Sequence, residues 1–357
     1  MKVISLNKAQ FGMVLAMDVR DTTGKVIFKK NTPLDEKVIA VLKKSGIFTI
    51  PVKNQKNTIT GLQKETQKYG VVSKEHLDLG FKKIKSVFKV LEDSGNIDID
   101  TVVDIASTIK EDIEKNFSDK LFVPLKKLQT FDEYLYSHSL NVMIISTLLG
   151  VEAGIIGDEL LSLSISALLH DIGKTKVPIE IMNAPRKLTQ EEMQIMRNHV
   201  KFGKELCIQN NIKDIGIVAG VYEHHERFDG KGYLEGKTNE MISDFGKLIS
   251  IADVYDALTS TRSYKGPWTP YKTISFILSN VEKQFDGRFA QGLINAFGVY
   301  PVGTRVKLSN GQFGTIVASN RSNKIRPLIK IDRGDTIDLS EEKTIRIVEV
   351  LDYIYIE

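Results

Sequence analysis

The stretch Leu169-His170-Asp171-Ile172-Gly173-Lys174 constrains this chain more than any other. His170 and Asp171 are adjacent at the end of a mostly apolar run that begins near Leu160. Such a run reads as a buried helix, and polar groups at its end are costly to bury without partners. An imidazole beside a carboxylate offers two metal ligands of different charge. Lys174 follows where the chain turns away, able to meet an anion.

The chain has six histidines, and five of them, His138, His170, His199, His224 and His225, occupy positions that look structurally specified. Surface or packing roles would scatter them, whereas a shared site would draw them together. With Asp171 and Asp253 they make seven candidate ligands of the mixed nitrogen and oxygen type that suits iron, manganese, zinc and similar ions. Seven is too many for one ion and a reasonable supply for two that share a carboxylate. The remaining histidine, His76, lies in a polar segment and reads as surface.

A length of 357 residues suggests two or three domains. The formal charge of +4 permits an anionic substrate without arguing for a nucleic-acid footprint, so DNA and RNA are not expected partners. A single cysteine, Cys207, excludes an intrachain disulfide framework and fits a reducing compartment. The first residues have no signal-peptide core. Tyr134 to Val151 is uncharged but marginal in length and interrupted by His138 and Asn141, so it reads as a buried helix and not a membrane span. A cytoplasmic protein is the expectation.

Residues 1–52 read as a small α/β module. The β-prone runs Leu15–Val19 and Val26–Phe28 flank an Asp21–Gly24 turn, with a helix start at Thr32-Pro33. Residues 53–74 read as a polar linker and 75–120 as a helical connector. The connector carries stripes at Phe81, Ile84, Phe88 and Leu91, and at Val102, Ile105, Ile109 and Ile113. Residues 121–300 form the dense helical region that holds every strong signal. Within it Thr189-Gln190-Glu191-Glu192 has capping-box spacing and opens a helix expected to carry His199 near its middle. Gly230 and Gly232 allow a tight loop after His224-His225. Asp253 and Asp256, set in an apolar helix, demand coordination or hydrogen bonds. Residues 301–357 read as a small antiparallel β domain with a turn at Asn310-Gly311.

This residue set points to metal-assisted phosphoester hydrolysis. Two divalent ions bridged by Asp171 would activate water, and Lys174, Arg262 and Lys265 would neutralise charge building up on the ester. No serine or cysteine nucleophile is required, and Cys207 reads as core.

The ordered motifs also carry a family likeness. His138, His170-Asp171-Ile172-Gly173-Lys174, His199, His224-His225-Glu226, Asp229-Gly230-Lys231-Gly232-Tyr233 and the run Ile251 to Ser260 resemble the HD-GYP branch of the HD-domain metal-dependent phosphohydrolases. The likeness covers roughly residues 121–300. It implies a mainly α protein, a helical HD-type catalytic core flanked by the small N-terminal α/β module and the small C-terminal β domain. It also implies hydrolysis of cyclic di-GMP with linear pGpG as the first product, and leaves open whether cleavage stops there or goes on to GMP.

Carried over residue by residue, one metal would use His138, His170, Asp171 and Asp253. Its partner would use Asp171, His199, His224 and His225. The implied cofactors are two divalent ions, iron or manganese, with a bridging water or hydroxide. Asp171 and Lys174 would be catalytic, while Lys174, Gly232, Tyr233, Arg262 and Lys265 would face substrate. The Gly232-Tyr233-Leu234 loop would also meet a protein partner, and self-association into a homo-oligomer is compatible with the pattern. Leu234 replaces the signature proline, which removes a φ constraint from that loop, and Gly287 stands where proline is frequent. Two other readings fit the same residues: phosphohydrolysis of another cyclic dinucleotide or nucleotide, and a catalytically weak nucleotide-binding or cyclase-docking signalling protein.

Overall fold

The computed structural model describes residues 2–353 apart from 7–8, 10–14, 22, 31, 33, 35, 53–70, 118–130, 185, 261–266, 321–322 and 333. The expected polar linker lies mostly outside the described residues, as do Arg262 and Lys265. The chain divides into two compact units, residues 1–68 with 303–317 and 328–357, and residues 69–302 with 318–327.

In the first unit, β1 (Lys2–Ser5) precedes β2 (Val19–Arg20), β3 (Val26–Phe28), α1 (Glu36–Lys44) and β4 (Thr49–Val52). β1 and β4 pair antiparallel, Lys2 opposite Val52 and Ser5 opposite Thr49. The β2–β3 turn is closed by Asp21, whose carboxylate accepts from the amides of Thr23 at 2.9 Å and Lys25 at 3.0 Å. Leu15, Val19, Leu34, Val38, Leu42, Ile50 and Val52 bury a small core. The Leu15–Val19 run yields less strand than its composition suggests. Leu15 makes an isolated bridge to Val52, and the helix is described from Glu36, while Pro33 of the expected helix start lies outside the described residues.

The same unit carries a five-stranded sheet of β5 (Thr304–Leu308), β6 (Phe313–Ala318), β7 (Leu328–Ile331), β8 (Thr336–Asp338) and β9 (Ile347–Tyr353), in the order β8-β7-β6-β5-β9. The Asn310-Gly311 turn joins β5 to β6, with the Leu308 amide donating to the Gln312 carbonyl at 2.8 Å. Arg305 sets both guanidinium nitrogens on the Asp332 carboxylate at 2.7 Å, so its buried charge is matched.

The second unit is helical: α2 (Lys74–Ser94), α3 (Ile99–Asn116), α4 (Phe131–Glu152), α5 (Gly157–Leu169) and a turn of 3-10 helix (Ile172–Lys176). There follow α6 (Ile179–Met182), α7 (Gln190–Arg197), α8 (His199–Gln209), α9 (Ile215–Glu223), α10 (Asp244–Thr259), α11 (Pro270–Ser279) and α12 (Gly287–Phe297). The stripes of α2 and α3 are buried as their spacing requires, with Ile84, Phe88, Leu91, Val102, Ile105, Ile109 and Ile113 all in the core. Residues 135–150 of α4 are buried at every position, so a helix without a polar face lies at the centre of the unit. Among the described residues no helix is long and apolar enough to cross a membrane. His76 is held at the edge of the unit by Asp112, 2.7 Å from its Nδ1.

Thr189 and Glu192 form the expected capping box at the start of α7. The helix does not run on through His199. It ends at Arg197, and His199 opens α8 instead. His199 Nδ1 lies 2.8 Å from the Met196 carbonyl, so the imidazole satisfies backbone at the break.

Candidate metal centre

Each candidate ligand is delivered by a helix or a helix end. His138 sits in α4, His170 caps α5 with Asp171 directly after it, His199 begins α8, His224 caps α9 with His225 after it, and Asp253 lies in α10. The fold draws all seven together. Asp171 stands between two groups. Its Oδ2 lies 3.3 Å from His170 Nε2 and 3.6 Å from His138 Nε2. Its Oδ1 lies 3.3 Å from His199 Nε2 and 3.9 Å from His224 Nε2. Asp253 spans the remaining side, 3.1 Å from His138 Nε2 and 3.9 Å from His225 Nδ1.

The second atom of each imidazole decides what the first can do. His170 Nδ1 lies 2.8 Å from the Ala167 carbonyl, His199 Nδ1 2.8 Å from Met196 and His224 Nδ1 2.9 Å from Val221. A carbonyl can only accept, so each Nδ1 carries the proton and each Nε2 presents a lone pair inward. His199 and His224 then face each other Nε2 to Nε2 at 3.4 Å, two acceptors with no proton between them. Such a pair repels unless a cation intervenes. His170 Nε2 and Asp171 Oδ1 are buried and make no hydrogen bond. These orphaned atoms fit divalent metal. Asp171, His199, His224 and His225 each bring a ligand atom within 4.8 Å of the others, and His138, His170 and Asp171 do the same. Two clusters sharing one carboxylate are consistent with a binuclear centre.

Electrostatics agree. Burial lowers His199 to about 3 and His225 to about 4, and pushes His224 down as well, so these imidazoles are neutral and free to ligate at pH 7. Burial alone would raise Asp171, but the Lys174 ammonium beside it holds it well below the usual carboxylate range. For Asp253 burial is likewise overridden, here by His138 and its neighbours. Lys174 pairs directly with Asp171 Oδ2.

Several supporting residues were not legible beforehand. Asp256, flagged only as a buried acid, accepts from His138 Nδ1 at 2.7 Å and from Asn141 Nδ2 at 2.7 Å. Asn141 lies one helical turn beyond His138, and a polar side chain in an otherwise apolar helix was its one signal. Replacing Asp256→Asn is expected to weaken metal affinity about 10- to 100-fold, because the His138 ring loses its fixed tautomer. Metal titration of the apo-protein checks this, and unaltered affinity would contradict it.

Glu226 is buried and accepts from the backbone amides of Glu235 at 2.8 Å, Gly236 at 3.2 Å and Lys237 at 3.0 Å, which fixes the loop after the His224-His225 pair. Within that loop Tyr233 stacks on His225 with ring centres 4.8 Å apart. Gly232 touches backbone so closely that a β-carbon would lie 2.4 Å from Glu226 Cα. The tight loop expected there is present, and it brings an aromatic ring onto a candidate ligand.

Residues 133–289 match the family model described as HD domain. A cyclic di-GMP phosphodiesterase of Pseudomonas aeruginosa is 33% identical over 207 residues, 58% of this chain and 50% of that protein. A cyclic di-GMP phosphodiesterase response regulator of Xanthomonas campestris is 33% identical over 178 residues, 49% of this chain and 45% of that protein. A 3'3'-cGAMP-specific phosphodiesterase of Vibrio cholerae is 33% identical over 127 residues, 35% of this chain and 24% of that protein. The chain spans about half the length of the first two of these relatives. The matched segment is similar to HD domains and to cyclic-dinucleotide phosphodiesterases, and it contains every candidate ligand.

Proposed function

We propose that this protein is a metal-dependent cyclic-dinucleotide phosphodiesterase whose substrate is cyclic di-GMP, opened to linear pGpG and onward to GMP. The observation that carries the reading is Asp171, buried with each oxygen facing a different set of unprotonated imidazole nitrogens. His138, His170, Asp171 and Asp253 would hold one ion, and Asp171, His199, His224 and His225 the other, iron or manganese by ligand type. When bound, the ions supply Lewis acidity toward water and the phosphoryl oxygens.

The chain's own residues do the rest. The backbone carbonyls at Ala167, Met196 and Val221 keep three imidazoles in the ligating tautomer before any substrate arrives. Lys174, one short turn from Asp171, would bring an ammonium to a phosphodiester oxygen that gains charge. The Gly232-Tyr233 loop, whose ring stacks on His225, would border the bound substrate. Arg262 and Lys265 are assigned to phosphate contact on the family likeness alone.

The 33% identity with the 3'3'-cGAMP-specific Vibrio protein supports a second reading, the same machinery acting on a hybrid dinucleotide. Side-by-side turnover of cyclic di-GMP and 3'3'-cGAMP by protein reconstituted anaerobically with ferrous iron or with manganese separates the two. Cyclic di-GMP is expected to be the better substrate by kcat/KM. Preference for 3'3'-cGAMP would move the assignment to the hybrid, and no turnover of either would remove it.

A further inference from the structure

A cyclic dinucleotide carries two phosphodiesters, and a metal centre with Lys174 can serve only the one being cut. The other needs a cation beside the centre, and one exposed guanidinium stands there. Arg197 ends α7, two residues before His199, and its Cζ lies 5.2 Å from the centre of the Tyr233 ring. That ring is itself stacked on His225. Tyr233 therefore has both a guanidinium and a candidate ligand imidazole against its ring, at the rim of the ligand cluster.

Three other described arginines of the helical unit are already engaged with carboxylates. Arg186 is locked on Glu192, Arg227 on Asp229 and Arg288 on Asp286. Among the described residues Arg197 has no carboxylate partner. A guanidinium held over an aromatic ring spends no N–H group on a carboxylate, and its fork of donors matches phosphate oxygens. The α7–α8 break sets its position, because the adjacent Met196 carbonyl is held by the ring of His199.

We propose that Arg197 contacts substrate, its guanidinium resting on Tyr233 and binding the phosphodiester of the cyclic dinucleotide that is not cleaved. The assignment rests on the substrate reading above. It gives the protein a means of preferring a cyclic dinucleotide over an ester with a single phosphate.

The full-length chain loaded with manganese tests it, as Arg197→Ala, Arg197→Met and Arg197→Lys. Met keeps an apolar stem over Tyr233 and lacks the charge, which separates a phosphate contact from a prop under the ring. Metal content is measured alongside kcat and KM for cyclic di-GMP, and kcat/KM for bis(p-nitrophenyl) phosphate, which has one phosphodiester. Loss of a charged hydrogen bond to substrate should raise KM for cyclic di-GMP about 10- to 100-fold in the Ala and Met variants, with the Lys variant between them and wild type. Metal content, kcat and the rate on the single ester should stay within about twofold of wild type on this role, since Arg197 would be met only by the dinucleotide. An unchanged KM, an equal loss on both esters, or loss of metal would overturn the assignment. Unsubstituted protein that cleaves the single ester and no cyclic dinucleotide would instead overturn the substrate reading itself.

Discussion

Asp171→Asn should strip the protein of both metal and activity while leaving it folded. The side chains have the same shape, so packing around this buried position is kept. What changes is the charge at the one group that faces all of His138, His170, His199 and His224. Removing one partner from a buried charged set costs about 3–5 kcal/mol, because the others are left uncompensated. In rate or affinity that is on the order of 10³-fold. Lys174 also loses its ion pair with Asp171. Metal analysis of the purified variant should find both clusters depleted, and turnover should vanish, while circular dichroism shows the helical fold kept and the metal-free variant melts below metal-free wild type. A variant that retained two ions per chain and normal turnover would show that Asp171 does not bridge.

Gly173→Ala should have the largest effect on the fold of any single methyl group near the site. A β-carbon there would lie 1.9 Å from the His199 carbonyl oxygen and 2.4 Å from the Gly203 amide nitrogen. Both neighbours are backbone, so no flexible side chain can swing away. The start of α8 would have to move, taking His199 with it. Overpacking a tight core costs about 1–3 kcal/mol and occasionally more, and contact with backbone places this case at the upper end. For a unit the size of the helical one about 3 kcal/mol lowers Tm by roughly 6–12 °C.

A contrasting substitution controls for the loss of glycine itself. At Gly80, inside α2, a β-carbon would meet only the Leu140 and Ile109 side chains, at 3.4 Å or more. Alanine suits a helix interior better than glycine by about 1 kcal/mol, so Gly80→Ala should be neutral or stabilising. Melting curves of the two variants, with metal content measured on each, decide the matter. Equal and small shifts would mean that α8 is not pinned against the turn after Asp171.

Much of the site was legible because its chemistry is written in residue types. Histidine and aspartate doublets at the ends of apolar runs are expensive unless they bind something, and that cost is local enough to see. The same holds for the capping box at Thr189 and Glu192, the Asn310-Gly311 turn and the buried α4, whose signals span a few residues each. The α7–α8 break was not legible. The run from Thr189 past His199 keeps a helix-like composition, and only the bond between the His199 ring and the Met196 carbonyl marks the change. Arg262 and Lys265 lie outside the described residues, so their part remains an inference from likeness.

From the sequence alone came the inventory: which side chains could ligate, that they were enough for two ions, and that a lysine followed the central pair. Periodicity and spacing act along one dimension, and they report burial and local turns well. The tertiary structure decided how those pieces face one another. It turned each oxygen of Asp171 toward a different set of nitrogens, set Asp256 behind His138 across 118 positions of chain, pressed Gly173 against the backbone of α8 and laid Tyr233 over His225. Those relations depend on which helices pack side by side, and a contact between distant segments leaves no periodic trace in either of them.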